Sequence, residues 1–247
     1  MPFTFSHPAI ILPLGKLHSR FISMTALVAG SMAPDFEYFI QMRMRQVHGH
    51  TLAGMFYFDL PVALVLCFLY HWTLRDPLIR YFPVPIKDRF HAYLGYNWWF
   101  RFKRSWFVIC SSALLGIASH LFWDNFTHAN RYFVNLIPYL QQESTFYGVT
   151  LLNCEFAQLW SSLIGLIAII FSVCDLSFYK IRKQNYRYIG IYWGLVVIVL
   201  IIIILLRDVS SLSILIATTI SGGLIGMMIA PQLMKWLNFE GKVFHTE

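Results

Sequence analysis

From Leu195 to Leu206 every residue is Leu, Val or Ile. A stretch like this has no polar face to turn towards water, so its surroundings must be a protein core or the hydrocarbon of a bilayer. Length decides between them. A helix needs about 20 apolar residues to cross the hydrocarbon layer, and the window from Tyr188 to Leu206 meets that requirement. Thr51 to Trp72, Trp106 to Phe126, Phe156 to Cys174 and Leu212 to Ala230 meet it as well. The expected fold class is all-α: a polytopic transmembrane helical bundle of about five spans, with short N-terminal interfacial or re-entrant helices.

Composition excludes the alternative of a soluble globule. Soluble domains carry about 25% charged residues, whereas this chain has 13%, with 57% hydrophobic residues over a length of 247 and a mean hydropathy of +0.58. No polar stretch is long enough to build a second domain. One integral membrane domain is expected over residues 1–247: N-terminal interfacial helices to 50, the first two spans with the candidate site over 51–126, and an outer loop over 127–155. Three apolar spans then fill 156–230, and 231–247 form a cytoplasmic tail. In the last span Gly222, Gly223 and Gly226 would let a neighbouring helix approach closely. Cys67, Cys110, Cys154 and Cys174 share no metal-binding spacing and read as structural thiols.

The net charge of +7 would fit a nucleic-acid partner if its residues formed a patch. They fall instead in short loops between apolar windows, where they set orientation. Arg75, Arg80, Lys87, Arg89, Arg101, Lys103 and Arg104 lie between the first two windows, Lys180, Arg182, Lys183 and Arg187 between the third and fourth, and Lys235 and Lys242 after the fifth. The intervening loops hold only Arg131 and Arg207. The expectation is a multi-pass protein of the plasma membrane with its basic loops in the cytoplasm. The bilayer is its partner, and nucleic acid is not.

Residues 1–50 fit this scheme less simply, because they contain Lys16, Arg20, Arg43 and Arg45 yet fall on the outer side. A sixth crossing over Phe21 to Ile40 would resolve the conflict, but Pro34, Asp35 and Glu37 interrupt it. Two short helices in or at the membrane are expected there. The opening residues lack a basic leader, so no cleavable signal is expected, and Pro8 reads as the first turn of a helix.

Candidate chemistry lies in polar residues that apolar surroundings should exclude. In Ser119 to His128, His120, Asp124 and His128 recur at every fourth position and share one helical face. His120 and Asp124 are separated by roughly 6 Å of axial rise, close enough to meet on one ion. A His and a carboxylate one turn apart suit zinc or a similar divalent metal. They equally suit a hydrogen bond joining two helices, and spacing leaves both open. Pro34 and Asp35 read as a helix opening, where a carboxylate caps exposed N–H groups. His48 and His50 flank Gly49 at the mouth of the first span, a weak metal signal by itself. His7 stands alone near the terminus. Asp59 lies on the opposite helical face from His50 and roughly 13 Å further along, out of reach unless Pro61 breaks the helix. Given the loop charges, the first span runs inward from His50 and the second outward to His120 and Asp124, so both sets end at the outer face.

The stretches PFTFSHPAIILPL, GSMAPDFEYF, HTLAGMFYFDLP and SHLFWDNFTH, in this order, resemble a bacterial membrane family known as domain of unknown function 4184. More distantly, an N-terminal His, a Pro-Asp, a Thr-His-Ser and a His-x-x-x-Asp resemble the membrane-bound metal-dependent hydrolases. That likeness implies metal ligands at His7, Asp35, His50, His120 and Asp124, with Asp35, His120 and Asp124 taking part in catalysis. Thr51 stands where the hydrolase pattern has serine, and His50, rather than His48, is the better match. A divalent ion, zinc by its donor set, would then serve hydrolysis of a lipid-linked or phosphoester substrate. The competing expectation is a transporter or structural membrane protein whose His and Asp residues bind an ion in transit or join helices.

Overall fold

A computed structural model describes residues 4–18, 20–179 and 185–239. Lys180, Arg182, Lys183 and Lys242 of the charge argument lie outside the described residues. The protein is an all-α polytopic chain with one small hairpin. A 3-10 segment, Thr4–Lys16, precedes α1 (Met24–Met32), and a 3-10 turn, Ala33–Asp35, joins it to α2 (Phe36–Gln41). Then come α3 (Met55–Tyr81), α4 (Trp98–Thr127), α5 (Asn153–Cys174), α6 (Tyr186–Leu206) and α7 (Leu212–Trp236). Each of these five is long and apolar enough to cross a membrane, the second including a continuation to Leu136. The segment around Pro34 forms two short helices rather than a crossing.

Two local expectations change. Pro8 does not open a helix: the 3-10 segment is already under way at Thr4 and contains both Pro8 and Pro13, whose missing N–H groups oppose an α-helix. Arg75 and Arg80 belong to the last turns of α3, not to a loop, and Arg75 is buried, bonding Asp76 and the Tyr96 carbonyl at 2.6 Å each. Arg101, Lys103 and Arg104 are likewise helical, in α4 before a backbone break at Ser105 (φ −140°, ψ 33°). The apolar windows mark only the hydrocarbon-crossing parts, whereas backbone hydrogen bonding continues the helices beyond them. Pro61 leaves no break either: a π-helical turn, Met55–Asp59, precedes it and relieves the clash its ring would make.

The stretch between α4 and α5 contains two further features. Tyr132–Leu136 is helical, and β1 (Glu143–Phe146) pairs antiparallel with β2 (Val149–Leu152). Tyr147 and Gly148 both take positive φ, 50° and 80°, as a two-residue type I′ turn requires.

The chain divides into two compact units. The first comprises residues 1–35, 48–65 and 101–172, and the second 36–47, 66–100 and 173–247. In the second, α6 and α7 pack together around Tyr192, Val196, Ala230 and Met234, with Tyr81 stacked on Tyr192. Gly222 and Gly226 make the close contacts expected of them, against Leu200 and Val196, while Gly223 faces open space. In the first unit, Ile11, Ile22 and Leu27 tie the N-terminal segment to α1. Helices α1 and α4 touch backbone to backbone: a Cβ on Gly30 would overlap the Ala113 carbonyl, and one on Gly116 the Leu27 carbonyl. This crossing positions the residues described next.

Candidate metal centre

Four elements of the first unit converge. Asp35 ends the 3-10 turn after α1, and His120 and Asp124 sit one turn apart on α4. His50 comes from the turn before α3 and His7 from the N-terminal segment. Asp35, His50, His120 and Asp124 each offer a donor atom, and all four atoms lie within 4.8 Å of one another, an arrangement that can hold a metal ion.

The separations are informative. His50 Nε2 is 2.9 Å from Asp124 Oδ2 and 3.1 Å from His120 Nε2, and His120 Nε2 is 3.3 Å from Asp124 Oδ2. Asp35 Oδ1 is further out, 3.6 Å from each imidazole nitrogen. Donors about 2.0–2.1 Å from zinc at tetrahedral angles stand about 3.3–3.4 Å apart. The two His and two Asp could therefore hold one metal ion, and the set contains no sulfur.

Supporting contacts fix the donors. His120 Nδ1 lies 2.8 Å from the Ser31 carbonyl. A carbonyl can only accept, so Nδ1 carries a proton, and Nε2 is the ring nitrogen that faces the cluster. Metal-binding imidazoles are usually oriented by such a bond. Thr4 Oγ1 donates to Asp35 Oδ2 at 2.6 Å, with both residues buried. His50 takes a left-handed backbone, φ 61°, uncommon for a residue with a side chain. Arg131 donates to its carbonyl at 3.4 Å.

His7 lies beside the four donors rather than among them. Its ring stacks on His120 at 3.9 Å between centroids, and its Nε2 is 3.6 Å from Asp124 Oδ1. Neither ring nitrogen has a hydrogen-bond partner, and nor does Asp124 Oδ1. Burial, reinforced by the neighbouring His120, pushes the His7 imidazole down to about 3, so it is neutral. Leaving a buried polar atom unpaired costs about 1–3 kcal/mol, and of these atoms His7 Nε2 and Asp124 Oδ1 lie side by side.

The remaining candidates lie elsewhere. His128, just past the end of α4, places Nδ1 3.5 Å from Asp124 Oδ1 with its side chain 30% exposed, at the rim. His48 is exposed and bonds the Tyr57 hydroxyl at 3.1 Å, which leaves His50 as the inward-facing member of the pair. Asp59 is buried but outside the four-donor group. Glu37, within the same motif as Asp35, accepts from Val47 N in the second unit. Asp35 itself spends its carboxylate on Thr4 and the imidazoles, not on capping α2.

The sequence profile of a family described as Domain of unknown function (DUF4184) matches residues 1–232. The chain belongs to this family. Comparison with curated proteins and with solved structures finds no match. Every residue of the candidate centre falls within the matched range.

Proposed function

We propose that this member of the domain of unknown function 4184 family is a membrane-embedded metal-dependent hydrolase. Its ion is zinc and its substrate is lipid-linked or a phosphoester. The active face is the outer side of a bacterial plasma membrane, as the distribution of basic loops implies. The observation that carries the proposal is the convergence of the donor atoms of Asp35, His50, His120 and Asp124 to within 4.8 Å of one another. His50, His120 and Asp124 stand 2.9–3.3 Å apart, a two-histidine, one-carboxylate set of the kind found in catalytic zinc sites that keep one position open. Asp35 stands back at 3.6 Å.

An ion held there supplies Lewis acidity and acidifies water. Asp35 Oδ1 then receives the proton of the attacking water, while the Thr4 hydroxyl keeps Oδ2 engaged and the carboxylate aimed. Asp124 would hold the ion through Oδ2, the oxygen beside His50 and His120, while Oδ1 lies towards His7. His7, held neutral by burial, donates a hydrogen bond to a substrate oxygen. Helix joining alone explains these groups less well, because a purely structural cluster would close His7 Nε2 and Asp124 Oδ1 to hydrogen-bond distance, whereas they stand 3.6 Å apart.

The test is release of headgroups or phosphate from a bacterial lipid extract by purified, zinc-loaded protein. Release that disappears in His120→Ala and Asp124→Ala supports the assignment. Equal release by the variants, or none by zinc-loaded wild type, overturns hydrolysis.

A further inference from the structure

Immediately behind His7 is a cavity of about 280 Å³, formed between the N-terminal 3-10 segment, α4 and α5. His7 and Trp123 form part of its wall, with Ser162 and Ala168 of α5, and Ile10 and Ile164 also line it. Ile10 and Ile164 are 42% and 64% exposed. They lie at the rim. Helix α5 is one of the five membrane-crossing helices, so a rim on its exposed face opens onto hydrocarbon and not onto water. The cavity exists because α5 and the N-terminal segment meet at one point: a Cβ on Gly165 would come within 3.0 Å of both the Ser6 carbonyl and its Cβ.

We propose that this cavity receives one hydrocarbon chain of a membrane lipid and delivers the lipid's polar end to the metal centre. The delivery step rests on the hydrolase assignment above, whereas occupation of the cavity does not. Three observations identify the occupant. The lining is largely apolar, which suits alkyl groups and repels a free headgroup. The rim faces the bilayer, so entry needs no passage through water. The inner wall is His7, whose ring stacks on His120 on one side and whose two buried nitrogens lack partners. A chain lying in the cavity therefore brings its ester or phosphate towards His7, the lining residue that adjoins the donors. The volume is just below the range of about 300–1,000 Å³ typical of small-molecule pockets, so it accommodates part of one chain and not a whole lipid.

The probe is a phospholipid brominated in its acyl chains, added to the full-length protein in detergent micelles, with tryptophan fluorescence as readout. Subtracting the Trp123→Phe variant from wild type isolates the Trp123 signal. Bromolipid should quench that signal in wild type, and the quenching should be lost in Ala168→Phe and in Ser162→Leu, which fill the cavity without touching any donor. Quenching retained in both filled variants would mean that lipid contacts Trp123 from outside, and the proposal fails. It fails equally if bromolipid leaves the wild-type Trp123 signal unchanged. Zinc content measured on the same samples separates the two claims. Zinc missing throughout while filling abolishes quenching would sink the hydrolase assignment and spare the lipid cavity. Zinc present while filling changes nothing would do the reverse.

Discussion

Thr4→Ala is a small substitution remote from the donors in sequence, yet it should weaken zinc binding measurably. The hydroxyl donates at 2.6 Å to Asp35 Oδ2, and Thr4 and Asp35 are 2% and 1% exposed, so water cannot replace it without opening the site. Hydrogen bonds to charged groups contribute about 1.5–3 kcal/mol. At about 1.4 kcal/mol per tenfold in affinity, that corresponds to a loss of about 10- to 150-fold. Loss of an outer-shell partner typically costs about 10- to 100-fold in metal affinity, so two independent routes agree. Competition against a chelator of known affinity would measure the change, with Thr4→Ser as the partner variant. Serine keeps the hydroxyl and should restore most of the binding. Thr4→Ala binding zinc as tightly as wild type, or Thr4→Ser binding as weakly as Thr4→Ala, would refute the role assigned to this bond.

Other consequences follow from the same geometry. Gly116→Ala forces a Cβ onto the Leu27 carbonyl, an overpacking that should cost about 1–3 kcal/mol; it should lower the Tm, and zinc affinity with it, because it displaces Ser31 from His120. The metal-free protein should lose stability as the pH falls from about 6.5 towards 3, because the unfolded chain protonates His7 while the folded imidazole, depressed to about 3, does not. His7→Phe should reduce that slope in thermal unfolding followed against pH. Cys174 is exposed and Cys67 and Cys154 are buried, so a maleimide should label Cys174 in the folded protein and leave the other two unmodified until denaturant is added.

The spans were legible because a bilayer imposes a length and a composition that few other constraints imitate. Their ends were not. Arg75 and Arg80 looked like loop residues because they are charged, but a helix leaving the hydrocarbon has no reason to stop at its edge, and Arg75 finds Asp76 and the Tyr96 carbonyl there. The β-hairpin was hidden in a loop whose short alternating stretches are too brief to stand out. At the candidate centre, the i, i+4 spacing of His120 and Asp124 carried its own signal and the loop charges brought His50 to the same face, whereas Asp35 and His7 came from distant segments and were reached only through family resemblance. Thr4 and the Ser31 carbonyl went unnoticed for different reasons. A threonine hydroxyl near the terminus is common, and a backbone carbonyl leaves no trace in the side-chain pattern. Gly30 and Gly116 did leave one, since small residues inside apolar helices mark close crossings.

The most direct test of the account is the zinc content of purified protein, wild type beside His120→Ala, by elemental analysis after exhaustive removal of loosely held metal. One equivalent per chain in wild type and essentially none in a variant that still elutes as a folded species is the predicted result. Equal zinc in both, or none in wild type even after loading, would contradict the gathering of His50, His120 and Asp124, with Asp35 beside them, around a single ion.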